Sequence, residues 1–266
     1  MTVYGPILIQ NRTYPANLFD TNSGAGERGI CALPFEQLST EQTVYIPVNV
    51  IANIFVSNGM SAGNTPAEAK VQALSEICER YVKHRVISEG LCLPDIPQTV
   101  IERFPAIAQS IQAIEDYGYR LKVADASLNG IYPVVSVTLI NPKDGSVFAS
   151  FGAHPCFEVA LERTVTELLQ GRELNQMDVF QPPIFDLDAV ASPQNIEMHF
   201  IDSSGDISND FFRSKPDYEY CDWNTETTIE QEYQALTSLI HEQGYQIYCA
   251  DYNHLGVAAC RILVPG

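Results

Sequence analysis

The chain has 266 residues, 45% of them hydrophobic, which suffices for one large core or two small ones. Thirty-three acidic against 15 basic residues give a net charge of −18, which repels nucleic acid and anionic membranes. A bound nucleotide would therefore need local cations or metal ions. No apolar run approaches the roughly 20 residues of a spanning helix, and residues Met1 to Pro6 lack the basic-then-apolar pattern of a secretory signal. The seven cysteines are odd in number and form no C-x-x-C pair, which argues for reduced thiols in the cytoplasm and against a disulfide framework or structural zinc.

Residues 1–30 are rich in Asn, Gly and Pro and read as irregular, with one short apolar run at Ile7 to Ile9. Gly24 to Gly29 matches G-x-G-x-x-G, yet no helical pattern follows it, so a dinucleotide fold is not expected. Residues 43–57 are β-branched and aromatic, and read as one strand or two running into a glycine loop that contains Gly59 and Gly63. A helix then opens at Pro66, with Thr65 as N-cap and Glu68 placed to reach back as the capping carboxylate.

At 100° per residue Glu68, Gln72, Glu76, Glu79 and Arg80 share about a third of that helix's circumference, opposite Val71, Leu74, Ile77, Cys78, Tyr81 and Val82. Between Pro66 and Val82 the only basic residues are Lys70 and Arg80, so the carboxylates lack the usual i+4 lysines. Such a stripe suits hard divalent cations, Mg2+ in particular, which are held by a few carboxylates together with nucleotide phosphates. A solvated face that binds nothing accounts for the same pattern. Removing one like charge, at Glu76 or Glu79, is expected to relieve repulsion, so stability without metal should hold or rise.

Gln98 to Tyr117 carries helical periodicity and ends at Gly118, Tyr119 to Asp125 and Tyr132 to Ile140 read as strands, and a turn at Asn141 to Gly145 leads into a strand at Val147 to Phe151. A second helix, about Cys156 to Gly171 with Pro155 as its first residue, puts Arg163 and Glu167 at i and i+4, which alone reads as a surface ion pair. Cys156, near that helix start and two residues from His154, reads as a neutral thiol in preference to a nucleophile. A strand at Ile196 to Ile201, an amphipathic helix at Thr227 to Gln243 and strands at Tyr245 to Asp251 and Val257 to Val264 complete the chain. The mixture without strict βαβ alternation predicts an α+β fold, mixed or antiparallel sheets with helices packed on one face.

The run Ser61-x-x-Asn64-x-x-x-Glu68 followed by Ser75-Glu76-x-x-Glu79-Arg80 resembles the signature of the YcaO-domain family, ATP-dependent enzymes that phosphorylate amide oxygens. From Arg28 to Gly266 the likeness is to the subgroup implicated as an accessory factor in methylthiolation of a ribosomal protein. The resemblance implies a domain over 31–266 and an ATP and Mg2+ site in which Glu68, Glu76, Glu79 and Glu167 hold metal ions. It places Ser61, Asn64, Arg80 and Arg163 on the nucleotide, and implies no protein nucleophile. It further implies a ribosomal-protein or peptide client, a methylthiotransferase partner and a homodimer. The proline-rich C-terminus of azoline-forming members has no counterpart before Val264-Pro265-Gly266, which favours the accessory role over cyclodehydration. The alternative is a non-catalytic interaction scaffold that keeps nucleotide-binding residues. The irregular start resembles the middle of longer family members. A shortened form lacking an upstream portion is therefore expected, with the site residues present but little or no ATPase activity.

Overall fold

The structure, a computed structural model, describes residues 7–9, 12–14, 31–53, 58–169, 180–223, 228–254 and 256–265. The chain forms two compact units, Met1–Ile77 with Thr228–Gly266, and Cys78–Thr227. The boundary falls inside one helix, α2, described below.

The first unit contains a mixed seven-stranded sheet. Its strands are β1 (Ile7–Ile9), β2 (Arg12–Tyr14), β3 (Ala32–Gln37), β4 (Gln42–Pro47), β5 (Met60–Gly63), β9 (Tyr248–His254) and β10 (Val257–Leu263), in the order β2-β1-β4-β3-β9-β10-β5. The strands at β1 and β2 stand where composition reads irregular; they form an antiparallel pair, and β1 joins β4 in parallel through Ile7 and Tyr45. The β-branched run after β4 also departs from expectation, because Val48–Asn53 is helix α1. Phe35, Ile46, Tyr248, Ala250 and Leu263 are buried together, with Val50 and Ile51 of α1 packed against them, so burial of the helix overrides β-propensity there. Helix α8 (Ile229–Glu242) starts at a capping box in which Thr228 accepts from the Gln231 amide and the Gln231 side chain accepts from the Thr228 amide. Gly244 follows it at φ +85°.

The second unit is built on an antiparallel sheet of β6 (Arg120–Asp125), β7 (Val134–Ile140) and β8 (Val147–Ala153), in that order. Helices α3 (Gln98–Ile101), α4 (Pro105–Asp116) and α5 (Phe157–Glu167) pack their Val, Ile, Leu and Phe side chains against Val123, Val135, Val137, Leu139 and Phe148. The periodic stretch expected as one helix over Gln98 to Tyr117 is therefore two. Pro105 has no N–H to continue α3 and fits the first turn of α4. The expected strand at Ile196 to Ile201 is the end of helix α7 (Pro193–Ile201), which follows the short α6 (Leu187–Val190). Ser192 caps α7 by accepting from the Asn195 amide, and Pro193 is its first residue. Helix α5 begins at Phe157, two residues beyond Pro155, and Cys156 is its N-cap. Gly171 and the G-x-G-x-x-G run at 24–29 lie outside the described residues.

Helix α2 (Pro66–Glu89) is the long element that carries the acidic stripe. Ala69, Val71, Ala73 and Leu74 are buried in its first half, and Cys78, Val82, Val86 and Ile87 in its second; at 100° per residue they take up more than half the circumference, wider than a single apolar stripe.

Candidate functional site

In the first unit the expected glycine loop is largely strand. Met60–Gly63 forms β5, paired with β10 so that Ser61 stands opposite Cys260. Gly59 precedes it at φ +71°, and a Cβ there would come 2.3 Å from the Ile262 carbonyl oxygen, so both backbone conformation and space require glycine. Its N–H donates to Glu76 Oε2 at 3.2 Å. Arg261 of β10, 5% exposed, lies in the field of the same carboxylate; burial pulls its pKa down and Glu76 pushes it up.

The start of α2 is capped as expected at Thr65, whose Oγ1 accepts from the Glu68 amide at 3.1 Å. The Glu68 carboxylate reaches one residue further back than a capping box requires. It accepts from the Asn64 N–H at 2.9 Å and from Asn64 Nδ2 at 3.2 and 3.1 Å. The Ser61 hydroxyl donates to the Ala69 carbonyl and lies 4.0 Å from Cys260 Sγ. Three of the residues expected around a nucleotide, Ser61, Asn64 and Glu68, are thus gathered where β5 meets α2, bonded to one another or to the helix.

In the second unit Arg80 Nη1 donates to the Phe200 carbonyl at 3.4 Å, and its guanidinium carbon lies 5.7 Å from the centroid of the Phe200 ring. Phe200 sits in the last turn of α7, where carbonyls lack helical donors and attract cations. Arg80 Nε stands 3.9 Å from Glu79 Oε1. Lys83, absent from the sequence-derived site, is 4% exposed, and its Nζ donates to Ser203 Oγ at 2.8 Å. Burial pushes its pKa down to about 8, an effect Arg80 reinforces and Glu79, Glu167 and Asp202 oppose. The sequence carries a signal for it, because Lys83 follows Val82 and stands at i+4 from Glu79.

Arg163 and Glu167 both lie on α5, half-buried. Arg163 acts on His154, whose pKa is lowered to about 4, chiefly by burial and then by that guanidinium; His154 Nδ1 accepts from the Cys156 N–H at 3.0 Å. His199 on α7, 1% exposed, has its pKa lowered to about 4 mainly by burial, with Nε2 held 3.0 Å from the Asp206 carbonyl. Arg261, Lys83 and His199 are among the buried polar residues that spacing alone did not mark.

These neighbours argue against the relief of repulsion expected on removing a carboxylate. Glu76 faces Arg261, and Glu79 faces Lys83, so each removal leaves a buried cation with less compensation. All four glutamates are hard oxygen donors of the kind Mg2+ takes. Among the described residues no three His, Cys, Asp or Glu side chains converge as a metal cage. A nucleotide-borne Mg2+ does not need one, since phosphates and water fill most of its shell around one or two carboxylates.

The family model described as YcaO cyclodehydratase, ATP- and Mg2+-binding, matches residues 3–266. The chain belongs to the YcaO family. It is 54% identical over 257 residues to the Escherichia coli ribosomal protein S12 methylthiotransferase accessory factor YcaO, covering 97% of this chain and 44% of that relative, so it spans less than half the relative's length. Among solved YcaO-type folds, YcaO from Methanopyrus kandleri bound with AMPPCP and Mg2+ superposes with TM-score 0.60 at 21% identity, over 88% of this chain and 64% of that one. A heterocyclase in complex with substrate and cofactor gives TM-score 0.65 at 18% identity, over 91% of this chain and 34% of that one. At these identities the likeness establishes the YcaO fold, α+β with mixed and antiparallel sheets. Among the described residues no helix is long and apolar enough to cross a membrane.

Proposed function

We propose that this YcaO protein binds Mg-ATP and serves the activation of a peptide amide, as a cytoplasmic, homodimeric accessory factor in ribosomal-protein methylthiolation. The observation that carries the reading is the family match over residues 3–266, which spans every residue of the proposed site. The relative named as an S12 methylthiotransferase accessory factor supports a ribosomal-protein client and a methylthiotransferase partner.

In this reading Glu68, Glu76, Glu79 and Glu167 hold the metal ions. The bound nucleotide supplies a γ-phosphoryl group for the amide oxygen, making a poor leaving group into phosphate. Arg80 and Arg163 neutralise phosphate charge, and Ser61 and Asn64 donate hydrogen bonds to the nucleotide. Phosphoryl transfer rests on positioning and charge stabilisation, so a protein nucleophile is unnecessary.

Titration calorimetry with Mg-ATP tests this. Arg163→Ala should weaken binding by roughly 10- to 100-fold, the range for losing a charge-assisted hydrogen bond. Arg85→Ala should change it little, because Arg85 is spent on Glu89 at i+4. Equal losses would reduce Arg163 to general electrostatics, and no binding by the parent would overturn the nucleotide reading. A second reading, a scaffold that binds ATP without using it, is favoured by the protein donors already on Glu68 and Glu76. Binding without phosphate release would support the scaffold; release with turnover would support the enzyme.

A further inference from the structure

The second unit holds a lysine in a position where an ammonium is expensive. Lys83 is 4% exposed, donates to Ser203 Oγ at 2.8 Å, and stands 5.9 Å from the centroid of the Phe151 ring. One hydroxyl and one ring face do not offset the desolvation of a buried cation; Glu79, four residues earlier on α2, Glu167 on α5 and Asp202, next to Ser203 at the end of α7, reduce that cost without cancelling it. The dependence is mutual. Glu79 and Glu167 come from different helices, and without a positive charge among them like charges would push the carboxylates apart.

Resting on the reading that Glu79 and Glu167 serve a metal–nucleotide site, we propose that Lys83 is a positioning residue, the resident counter-ion that holds these carboxylates together when no metal is bound. The same charge opposes a second cation. Bare Mg2+ arriving at Glu79 and Glu167 meets the field of Lys83 and of Arg80, whereas Mg2+ carried on a triphosphate brings anionic charge that satisfies both. Lys83 thereby favours the metal–nucleotide complex over the free ion.

The test uses MgCl2 without nucleotide as the probe, read by thermal melting and by calorimetry, on the parent, Lys83→Met and Lys83→Arg. Methionine keeps most of the apolar stem, so a purely packing role would survive the change. Lys83→Met should melt lower in EDTA and recover roughly 4 °C or more in millimolar MgCl2, as the divalent ion replaces the lost charge. The parent and Lys83→Arg should respond little. An equal response of all three proteins to MgCl2 would overturn the proposal. If Lys83→Met alone does not fold, the Glu79→Gln/Lys83→Met double variant decides, since removing one charge of each sign should restore folding; a double variant no better than the single would sink the idea. A parent that fails to bind Mg-ATP removes the nucleotide reading but leaves the MgCl2 comparison standing, so the two failures are distinguishable.

Discussion

Helix α2 carries one lysine in each unit, and the two have opposite fates. Lys70, in the first unit, is partly exposed and pairs with Asp251 at 2.9 Å; burial lowers its pKa, but Asp251 and its neighbours outweigh that and the net shift is upward. Lys83, in the second unit, is buried deeply enough that desolvation wins over three carboxylates and the net shift is downward. The same side chain on the same helix reports opposite electrostatics because the Lys70 pair lies near the surface and Lys83 is enclosed. The glutamates follow the same division. Glu68 and Glu76 are met by backbone N–H groups, fixed dipoles that hold a carboxylate in place, and Glu76 acts on Arg261 as well; Glu79 and Glu167 act on Lys83.

The contrast predicts where acid attacks first. His199 is buried neutral, with its pKa lowered from the usual 6.5 to about 4, and the partly buried His154 is lowered to about 4 as well. Because the unfolded chain binds these protons at higher pH than the folded one, the stability each contributes is complete above about pH 6.5 and lost as pH falls toward 4. For His199 the slope reaches at most about 1.4 kcal/mol per pH unit; for the more exposed His154 it is smaller. Lys70 works the other way, its raised pKa giving stability below its ordinary value that is lost as pH rises through the folded one. Urea titrations from pH 7 to pH 4 should show the loss, and His199→Asn should flatten it. An unchanged slope in that variant would mean that another group carries the acid sensitivity.

Next in size is the difference between two glutamates. Glu79→Gln should lower unfolding free energy by about 1–3 kcal/mol, since it strips compensation from a buried ammonium. Glu68→Gln retains an oxygen acceptor for the Asn64 donors and forfeits only part of a helix-start interaction, roughly 0.5–1 kcal/mol. Denaturant midpoints of the two variants side by side measure this, and a larger loss at Glu68 would reverse the assignment of the buried, charge-dependent region to the second unit.

The elements legible in the sequence were those with punctuation. Thr65-Pro66 before α2 and the turn in which Gly145 takes φ +76° are legible from cap and turn chemistry, and α8 from its amphipathic pattern, whereas its Thr228–Gln231 capping box emerges only in the structure. Ser192-Pro193 offers the same start signal for α7, whereas the apolar composition of Ile196 to Ile201 alone suggests a strand; the cap prevails. Val48–Asn53 gave no such cue, because its helix depends on packing against Phe35 and Tyr248, partners distant in sequence. The acidic face of α2 was visible from spacing. Its counter-charges were not: Arg261 reaches Glu76 from β10 and Asp202 reaches Lys83 from the end of α7, pairings that exist only once the chain is folded.

The smallest expected effect closes the comparison of the lysines. The Lys70 and Asp251 side chains are 18% and 59% exposed, so water already solvates much of the pair and salt screens it. Replacing Lys70 with Met should therefore cost no more than about 1 kcal/mol, and less at 1 M NaCl than at 0.05 M, ionic strengths at which the Debye length is about 3 Å and over 10 Å respectively. Part of even that loss will be packing, since the lysine stem borders Cys249 and Tyr252 in a cavity of about 240 Å³ and its ammonium stands 6.0 Å from the Tyr233 ring centroid. The substitution at Lys83 should by contrast keep its cost at high salt, because ions do not reach a site 4% exposed. Chemical denaturation of both lysine variants at the two salt concentrations separates the cases. Equal salt dependence would mean that Lys83 is as solvated as Lys70, and the enclosed charge network of the second unit would have to be abandoned.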